Sequence, residues 1–342
     1  MGKNSSVIYG SETHMGYFRR RMGKGFTYLD ENKSKITDAA IIERIKALKI
    51  PPMWTEVRVS TKENTHLQAT GKDQRGRKQY LYHPEWMAFR NRCKFKRMTE
   101  FGQALPAIRQ QSLADIQRKG WPKEKVLGLV VQILNEAFIR IGNAYYKIQN
   151  ETYGLTTLRR KHLKIEGNKI SFQYKAKSGK YRNIDIKNLR LRRLIKKCSE
   201  LPGHEIFRYL DEEKKWCSID SHDVNEYLKA ISGEQFSSKD FRTWGGSVTA
   251  IEKFEEAKEL AMATNKKSII PTLIKMVAQK LGNTVAICRD YYIHPAIIEA
   301  IESGALSKYA ERTQNTPIQT GELTSNERIA LSIIASYEKE RK

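Results

Sequence analysis

The chain has 342 residues, enough for two domains with cores of their own at roughly 100 to 200 residues each. Sixty-two Lys plus Arg against 38 Asp plus Glu leave a formal charge of +24, an excess that repels itself in a compact state unless a polyanion shares the surface; nucleic acid is the expected partner. Cys93, Cys198, Cys217 and Cys288 lie far apart with no C-x-x-C pair, which argues against a zinc site or a disulfide framework. No apolar run approaches the roughly 20 residues that span a bilayer, and the first residues lack a secretory apolar core, so a soluble protein of the cytoplasm or nucleoid is expected, without a membrane partner.

Basic density is greatest at the front, where the first hundred residues carry 21 basic and 10 acidic side chains. After a polar start, Thr37 to Leu48 reads as a short helix, with Ile41, Ile42, Ile45 and Leu48 at helical spacing and Pro51-Pro52 as its stop. Val57 and Val59 alternate with Arg58 and Ser60 as a strand. The runs His66 to Thr70 and Lys78 to His83 then flank the turn-rich segment Gly71 to Arg77, forming a basic hairpin. Residues 84 to 119 look helical, and Phe101-Gly102 and Leu105-Pro106 place a domain boundary near 100 to 122. Lys123 to Gln149 predicts one long core helix on the apolar series Val126, Leu129, Val130, Ile133, Leu134, Ala137, Phe138 and Ile141. Three short strands follow, Leu163 to Glu166, Ile170 to Ala176 and Tyr181 to Ile186. Leu189 to Ile301 is mostly helical, Thr313 to Ser325 reads as a polar loop, and Asn326 to Lys339 as a last helix.

Four stretches in the second half place polar groups within otherwise packing pattern. Arg140 stands near the end of the long helix, either as a snorkelling arginine or as a functional one. Lys175-Ala176-Lys177-Ser178-Gly179-Lys180 is a lysine-rich hairpin tip that suits a solvated turn or a phosphate-contacting loop. The third runs Lys239-Asp240-Phe241-Arg242-Thr243-Trp244-Gly245. The fourth joins Leu281-Gly282-Asn283-Thr284 to Tyr291-Tyr292-Ile293-His294-Pro295. In the front half, Lys72, Arg75, Arg77 and Lys78 surround one hairpin, and Tyr80 and Tyr82 share a face. Alone, that is a charged strand edge that discourages sheet pairing.

In this order the four stretches resemble the active-site series of the poxvirus-like and bacterial type IB topoisomerases. The resemblance spans roughly residues 50 to 300 and includes Ile50-Pro51-Pro52, His66-Leu67-Gln68-Ala69-Thr70-Gly71-Lys72-Asp73, Gly76-Arg77-Lys78-Gln79-Tyr80 and Gly154-Leu155-Thr156-Thr157-Leu158-Arg159. It implies an α+β fold: a small β-rich DNA-clamping domain (residues 1–105), a mainly helical catalytic domain of the topoisomerase IB and tyrosine recombinase type (106–312), and a polar loop with a C-terminal helix (313–342). Carried over residue by residue, it makes Tyr292 the nucleophile, Arg140 and Arg242 the clamps on the scissile phosphate, Lys177 the general acid and Asn283 a donor to a non-bridging oxygen. Tyr291 is the rival nucleophile.

The resemblance also implies that Lys72, Arg75, Arg77, Lys78, Gln79, Tyr80, Tyr82, Asn143, Tyr145 and Tyr146 contact double-stranded DNA. Asn143 and Tyr145 stand where poxvirus relatives present base-reading lysines, so a poxvirus-like cleavage sequence does not follow. The expected activity is relaxation of supercoiled DNA by a monomer through a 3′-phosphotyrosyl intermediate, with no cofactor, no ATP and no required metal. No Gly-x-x-x-x-Gly-Lys-Ser/Thr loop and no clustered Asp, Glu and His set is present in the sequence. A tyrosine recombinase and a non-catalytic DNA-binding protein are the alternatives.

Overall fold

The computed structural model describes residues 7–10, 14–143, 147–148, 150–265, 267–313 and 321–340 of an α+β chain. Its contacts divide it into two compact units, Met1–Phe95 and Lys96–Lys342.

In the first unit, β1 (Tyr17–Met22) and β2 (Gly25–Leu29) form a hairpin turning at Gly23, whose φ of 57° suits glycine. Helix α1 (Ala39–Ala47) starts at Asp38, whose carboxylate accepts the N–H groups of Ala40 and Ile41. Strands β3 (Thr55–Val59), β4 (Leu67–Lys72) and β5 (Lys78–Tyr82) complete an antiparallel sheet of order β2-β1-β3-β4-β5. Ile45 of α1 packs on Val57, Val59 and Ala69, so the alternation read at Val57 and Val59 is the inward face of β3. The β1–β2 hairpin lies in what the sequence read as a polar start. Its inward-acting arginine is Arg19, which donates to the carbonyls of Ile50, Pro51 and Trp54 at 3.1, 2.9 and 2.7 Å. One of three successive arginines thus ties the hairpin to the turn before β3, a use that hydrophobic periodicity does not register.

Helix α2 (Pro84–Lys96) runs across the division at Phe95 and Lys96, ahead of the expected boundary at 105/106, which would cut α3 (Met98–Asp115) in two. The physical reason is burial: Phe101 meets Phe236, Phe241 and Trp244 edge-on, and Leu105 and Ile108 have no exposed surface. Gly102 makes room for Trp244, since a Cβ there would fall 2.5 Å from the indole.

Helix α4 (Lys123–Ala137) ends twelve residues before the expected Gln149. Phe138 adopts the left-handed conformation, at a cost of roughly 1 to 2 kcal/mol for an L-residue. The carbonyls of Arg140 and Ile141 accept instead from the N–H groups of Leu155 and Thr156, at 2.8 and 2.7 Å. Residues 138–143 therefore run beside the turn at 154–157. Gly142, with φ of 103°, and Gly154 permit that approach, since a Cβ on Gly154 would fall 2.5 Å from the Gly142 nitrogen.

Strands β6 (Leu163–Glu166), β7 (Lys169–Lys175) and β8 (Tyr181–Ile186) form the expected antiparallel sheet. Helix α5 (Leu189–Ser199) follows, then a short hairpin of β9 (Arg208–Leu210) and β10 (Trp216–Ser218), which interrupts the helical region expected from Leu189 onward. Helices α6 (Ser221–Ser232), α7 (Ser238–Glu252), α8 (Phe254–Ala263), α9 (Ile270–Leu281), α10 (Val285–Tyr291), α11 (Pro295–Glu302), α12 (Leu306–Thr313) and α13 (Ser325–Glu340) follow.

Helix α13 packs on α3, α7 and α11. Its buried Glu327 accepts from Arg109 at 2.6 and 3.0 Å and from the Trp244 indole at 3.2 Å. Among the described residues no helix is long and apolar enough to cross a membrane.

Candidate active site

Helix α7 is the buried axis of the site. It begins with a capping box in which Asp240 accepts from the Ser237 N–H and hydroxyl at 2.7 and 3.0 Å. Arg242, one turn on, is only 4% exposed. Its guanidinium donates to the carbonyl of Phe138, where α4 has stopped, and to that of Leu281 at 2.9 Å, where α9 ends. An arginine at that position stabilises a helix C-terminus through its unpaired carbonyls and dipole. Its Nε–H is buried without a partner. A charged donor in that state is costly unless an anion completes it.

Gly282 caps α9 in the left-handed conformation (φ 65°), and the Asn283 N–H closes on the Ala278 carbonyl at 3.0 Å. That turn delivers the Asn283 side chain to both arginines: its Oδ1 accepts from Arg140 and, at 3.4 Å, from Arg242. Its Nδ2 faces the Cys288 sulfur at 3.9 Å. Burial, reinforced by the charge of Arg242, pulls the Arg140 guanidinium down to about 10. Two guanidinium groups therefore share one acceptor in a partly desolvated place.

Tyr292 sits at the C-terminal cap of α10 rather than inside a helix, with its N–H on the Cys288 carbonyl at 3.0 Å. The Arg242 guanidinium lies over its ring, 5.1 Å from the centroid. Tyr291, the last helical residue, is pushed up by burial and by Asp290 beside it. His294 is buried and structural: its N–H donates to the Ser247 hydroxyl at 2.9 Å, and its Nδ1 caps α11 by accepting from the Ala296 N–H at 3.1 Å.

The structure thus brings together Arg140, Arg242, Asn283 and Tyr292. Lys177 stands apart, exposed at the tip of the β7–β8 hairpin, where Ser178 and Gly179 have positive φ. Other residues of that hairpin reach the site: Lys180 Nζ is 3.4 Å from the Asn283 carbonyl, and Arg182 donates to the carbonyls of Gln279 and Lys280 at 3.0 and 2.7 Å. Tyr174, opposite Arg182 in register, is pushed up to about 12 by burial, against the opposing charges of Arg182, Arg242 and Arg140. Neither Arg182 nor Tyr174 was singled out from the sequence, because nothing in a strand's alternation marks which inward polar residue meets another element. Gly245 and Gly246 were likewise missed as close-approach positions: a Cβ on Gly245 would fall 2.4 Å from the Phe138 ring, and one on Gly246 2.2 Å from the Tyr292 carbonyl oxygen.

In the first unit the β4–β5 turn is organised by Asp73. Its carboxylate accepts from the N–H groups of Arg75 and Arg77, from Arg77 Nε at 2.7 Å and from Gln79 Nε2 at 2.9 Å. Arg77 above all holds it down to about 2. Arg77 and Gln79 are therefore committed to the turn, and Lys72 pairs with Glu56 at 2.6 Å, whereas the Arg75 side chain is exposed. Tyr80 and Tyr82 stack at 6.2 Å on the exposed face of β5, with the Lys78 ammonium 5.5 Å from the Tyr80 ring. Asn143 is exposed, and Tyr145 and Tyr146 lie outside the described residues. Among the described residues no cluster of His, Cys, Asp and Glu could hold a metal ion.

The chain is similar to known proteins over most of its length. Residues 83–317 match the family model for the eukaryotic DNA topoisomerase I catalytic core, and residues 25–73 match that for the bacterial DNA topoisomerase IB N-terminal domain. DNA topoisomerase 1B of Acanthamoeba polyphaga mimivirus is 30% identical over 338 residues, 96% of this chain and 98% of its own. The vaccinia virus (strain Copenhagen) DNA topoisomerase 1B is 26% identical over 82% of this chain and 88% of its own. DNA topoisomerase 1 of rabbit fibroma virus is 28% identical over 75% and 80%. The chain belongs to the type IB DNA topoisomerase family, and so to the isomerases.

Proposed function

We propose that this enzyme relaxes supercoiled double-stranded DNA by transient cleavage of one strand, with Tyr292 as nucleophile. The observation that carries the reading is the convergence of Arg140 and Arg242 on one acceptor beside the Tyr292 ring, with the Arg242 Nε–H buried and unpaired. A phosphodiester fits such a place. Its five-coordinate transition state gathers charge on the equatorial oxygens, and fixed guanidinium donors stabilise it beyond the ground state.

In the proposed reaction the Tyr292 phenol gives its proton to water and its oxygen attacks phosphorus. The bond from phosphorus to the 5′ oxygen breaks, and Lys177 delivers a proton to that oxygen. The 3′ phosphate is then esterified to Tyr292. The free 5′ end rotates, and its hydroxyl, returning a proton to Lys177, attacks phosphorus; the bond from phosphorus to Tyr292 breaks and the phenolate takes a proton from water. The ester conserves the bond energy, so no ATP is consumed, and the arginines supply the charge a metal would otherwise bring.

Asn283 now offers its oxygen to the arginines and its amide nitrogen to Cys288. To donate to a non-bridging oxygen, the amide turns over as phosphate takes the acceptor's place. Arg75, Lys78, Tyr80 and Tyr82 belong to the face that contacts duplex DNA, and the enzyme acts as a monomer.

Relaxation of supercoiled plasmid in EDTA without ATP, with detergent trapping of protein on DNA, tests the reading. Wild type and Tyr291→Phe are expected to relax the plasmid and form the adduct; Tyr292→Phe is expected to bind DNA and do neither. Adduct formation by Tyr292→Phe would overturn the assignment.

A further inference from the structure

We propose that Arg182 is a positioning residue that latches the β7–β8 hairpin, and Lys177 at its tip, to the C-terminal end of α9 beside Asn283. The inference rests on the proposed role of Lys177 as general acid.

Lys177 lies in the short turn between Lys175 and Tyr181, the last register pair of the hairpin, and the next pair is Tyr174 with Arg182. Arg182 shares the inward face of β8 with the buried Ile184 and Ile186, while Tyr181, Asn183 and Asp185 are exposed. From there its guanidinium reaches across to the Gln279 and Lys280 carbonyls in the last turn of α9, where the Gln279 carbonyl also accepts the Gly282 N–H at 3.3 Å. Gly282 makes the contact possible twice over. It takes the left-handed conformation, and its missing side chain leaves room for the guanidinium, because a Cβ there would fall 2.5 Å from Arg182 Nη1. Lys180, on the far side of the tip, adds a contact to the Asn283 carbonyl at 3.4 Å.

The loop that carries the phosphate-facing amide and the hairpin that carries the proton donor are therefore tied within a few residues of each. A lysine on an untethered two-strand turn would spend most of its time elsewhere, and a proton donor has to be within hydrogen-bond reach of the leaving oxygen. Were Arg182 only a helix cap, its loss would disturb α9 and the phosphate site together, and would slow every substrate alike.

The distinguishing measurement is single-turnover cleavage by the full-length enzyme of two otherwise identical duplexes. One carries the ordinary scissile phosphodiester, and in the other sulfur replaces the bridging 5′ oxygen. In the second, Tyr292 displaces a thiolate that leaves without a proton, so general-acid defects vanish and phosphate-clamp defects persist. Arg182→Ala is expected to slow the ordinary substrate by about 10- to 100-fold, part of the roughly 10² to 10⁴ a general acid supplies. On the sulfur substrate it should come within a few-fold of wild type, as should Lys177→Ala. Arg182→Lys, which keeps a donor for one carbonyl, should fall between wild type and Arg182→Ala on the ordinary substrate.

Equal slowing of both substrates by Arg182→Ala, or no slowing of either, overturns the latch. Failure of the sulfur substrate to rescue Lys177→Ala overturns the general-acid reading beneath it, and absence of any wild-type covalent adduct overturns the proposed reaction itself.

Discussion

Gly246 of α7 abuts the main chain of Tyr292: a Cβ built on the glycine falls 2.2 Å from the Tyr292 carbonyl oxygen and 3.2 Å from its Cβ. Arg242 lies one turn earlier on the same helix face, so the glycine sets the spacing between the guanidinium and the Tyr292 ring beneath it. Gly246→Ala should push the Tyr292 segment outward. The expected result is cleavage slowed by about 10²-fold, in line with a displacement of order 1 Å, with DNA affinity retained. Overpacking should cost about 1 to 3 kcal/mol of stability. Single-turnover cleavage beside equilibrium binding reads the split; equal loss of both would show a general unfolding instead.

The Arg109–Glu327–Trp244 network makes α13 a buttress of α7. Burial is the largest influence on Glu327 and pushes it up, yet hydrogen bonds and charge from Arg109, with Thr324 and Trp244, hold it below its ordinary 4.5. A carboxylate lowered on folding contributes stability that is full above its unfolded value and is lost as pH falls through the folded one. Thermal melts of wild type and Glu327→Gln should therefore differ at pH 6 and converge as pH drops below the ordinary glutamate range. A gap that stays constant down to pH 3 would refute the linkage. Arg109→Ala, which strands a buried carboxylate, should cost about 3 to 5 kcal/mol at neutral pH.

In the first unit, the division of labour around Asp73 predicts unequal effects among neighbouring basic residues. Arg75 is exposed, whereas Arg77 is spent on Asp73 at 2.6 Å. If the face contacts phosphates, Arg75→Ala should reduce the slope of log affinity against log salt by roughly 0.9, one released counterion. Arg77→Ala should act mainly by loosening the turn. Binding titrations across a salt series decide it, and an unchanged slope for Arg75→Ala would remove that residue from the DNA face. Because Asp73 is held down to about 2, its lost charge should not weaken the turn between pH 7 and 4.

Residues whose role is to pack were legible along the chain. The inward face of β3, the three strands from Leu163 to Ile186 and the last helix appear where alternation and helical spacing put them. Motif order was legible too, since the four polar stretches hold the residues that the fold gathers or brings close. The failures share a cause. The apolar series carries the long helix on to Gln149 because Phe138 and Ile141 continue it; what stops the helix is a pair of hydrogen bonds to Leu155 and Thr156, residues beyond any helical window. The β1–β2 hairpin is hidden in the sequence because its arginines read as polar, while Arg19 binds three carbonyls more than thirty residues away.

By itself the amino-acid sequence determined the class of partner through its charge, the inward faces through their periodicity, and the candidate residues through their order. Only the tertiary structure decided that Arg140 and Arg242 meet at Asn283, that Tyr292 rather than Tyr291 lies under Arg242, and that Arg182 ties the Lys177 hairpin to α9. The reason is that periodicity records which side of an element faces inward, whereas a site depends on what waits there: carbonyls left open at helix ends, and glycines that let two backbones touch.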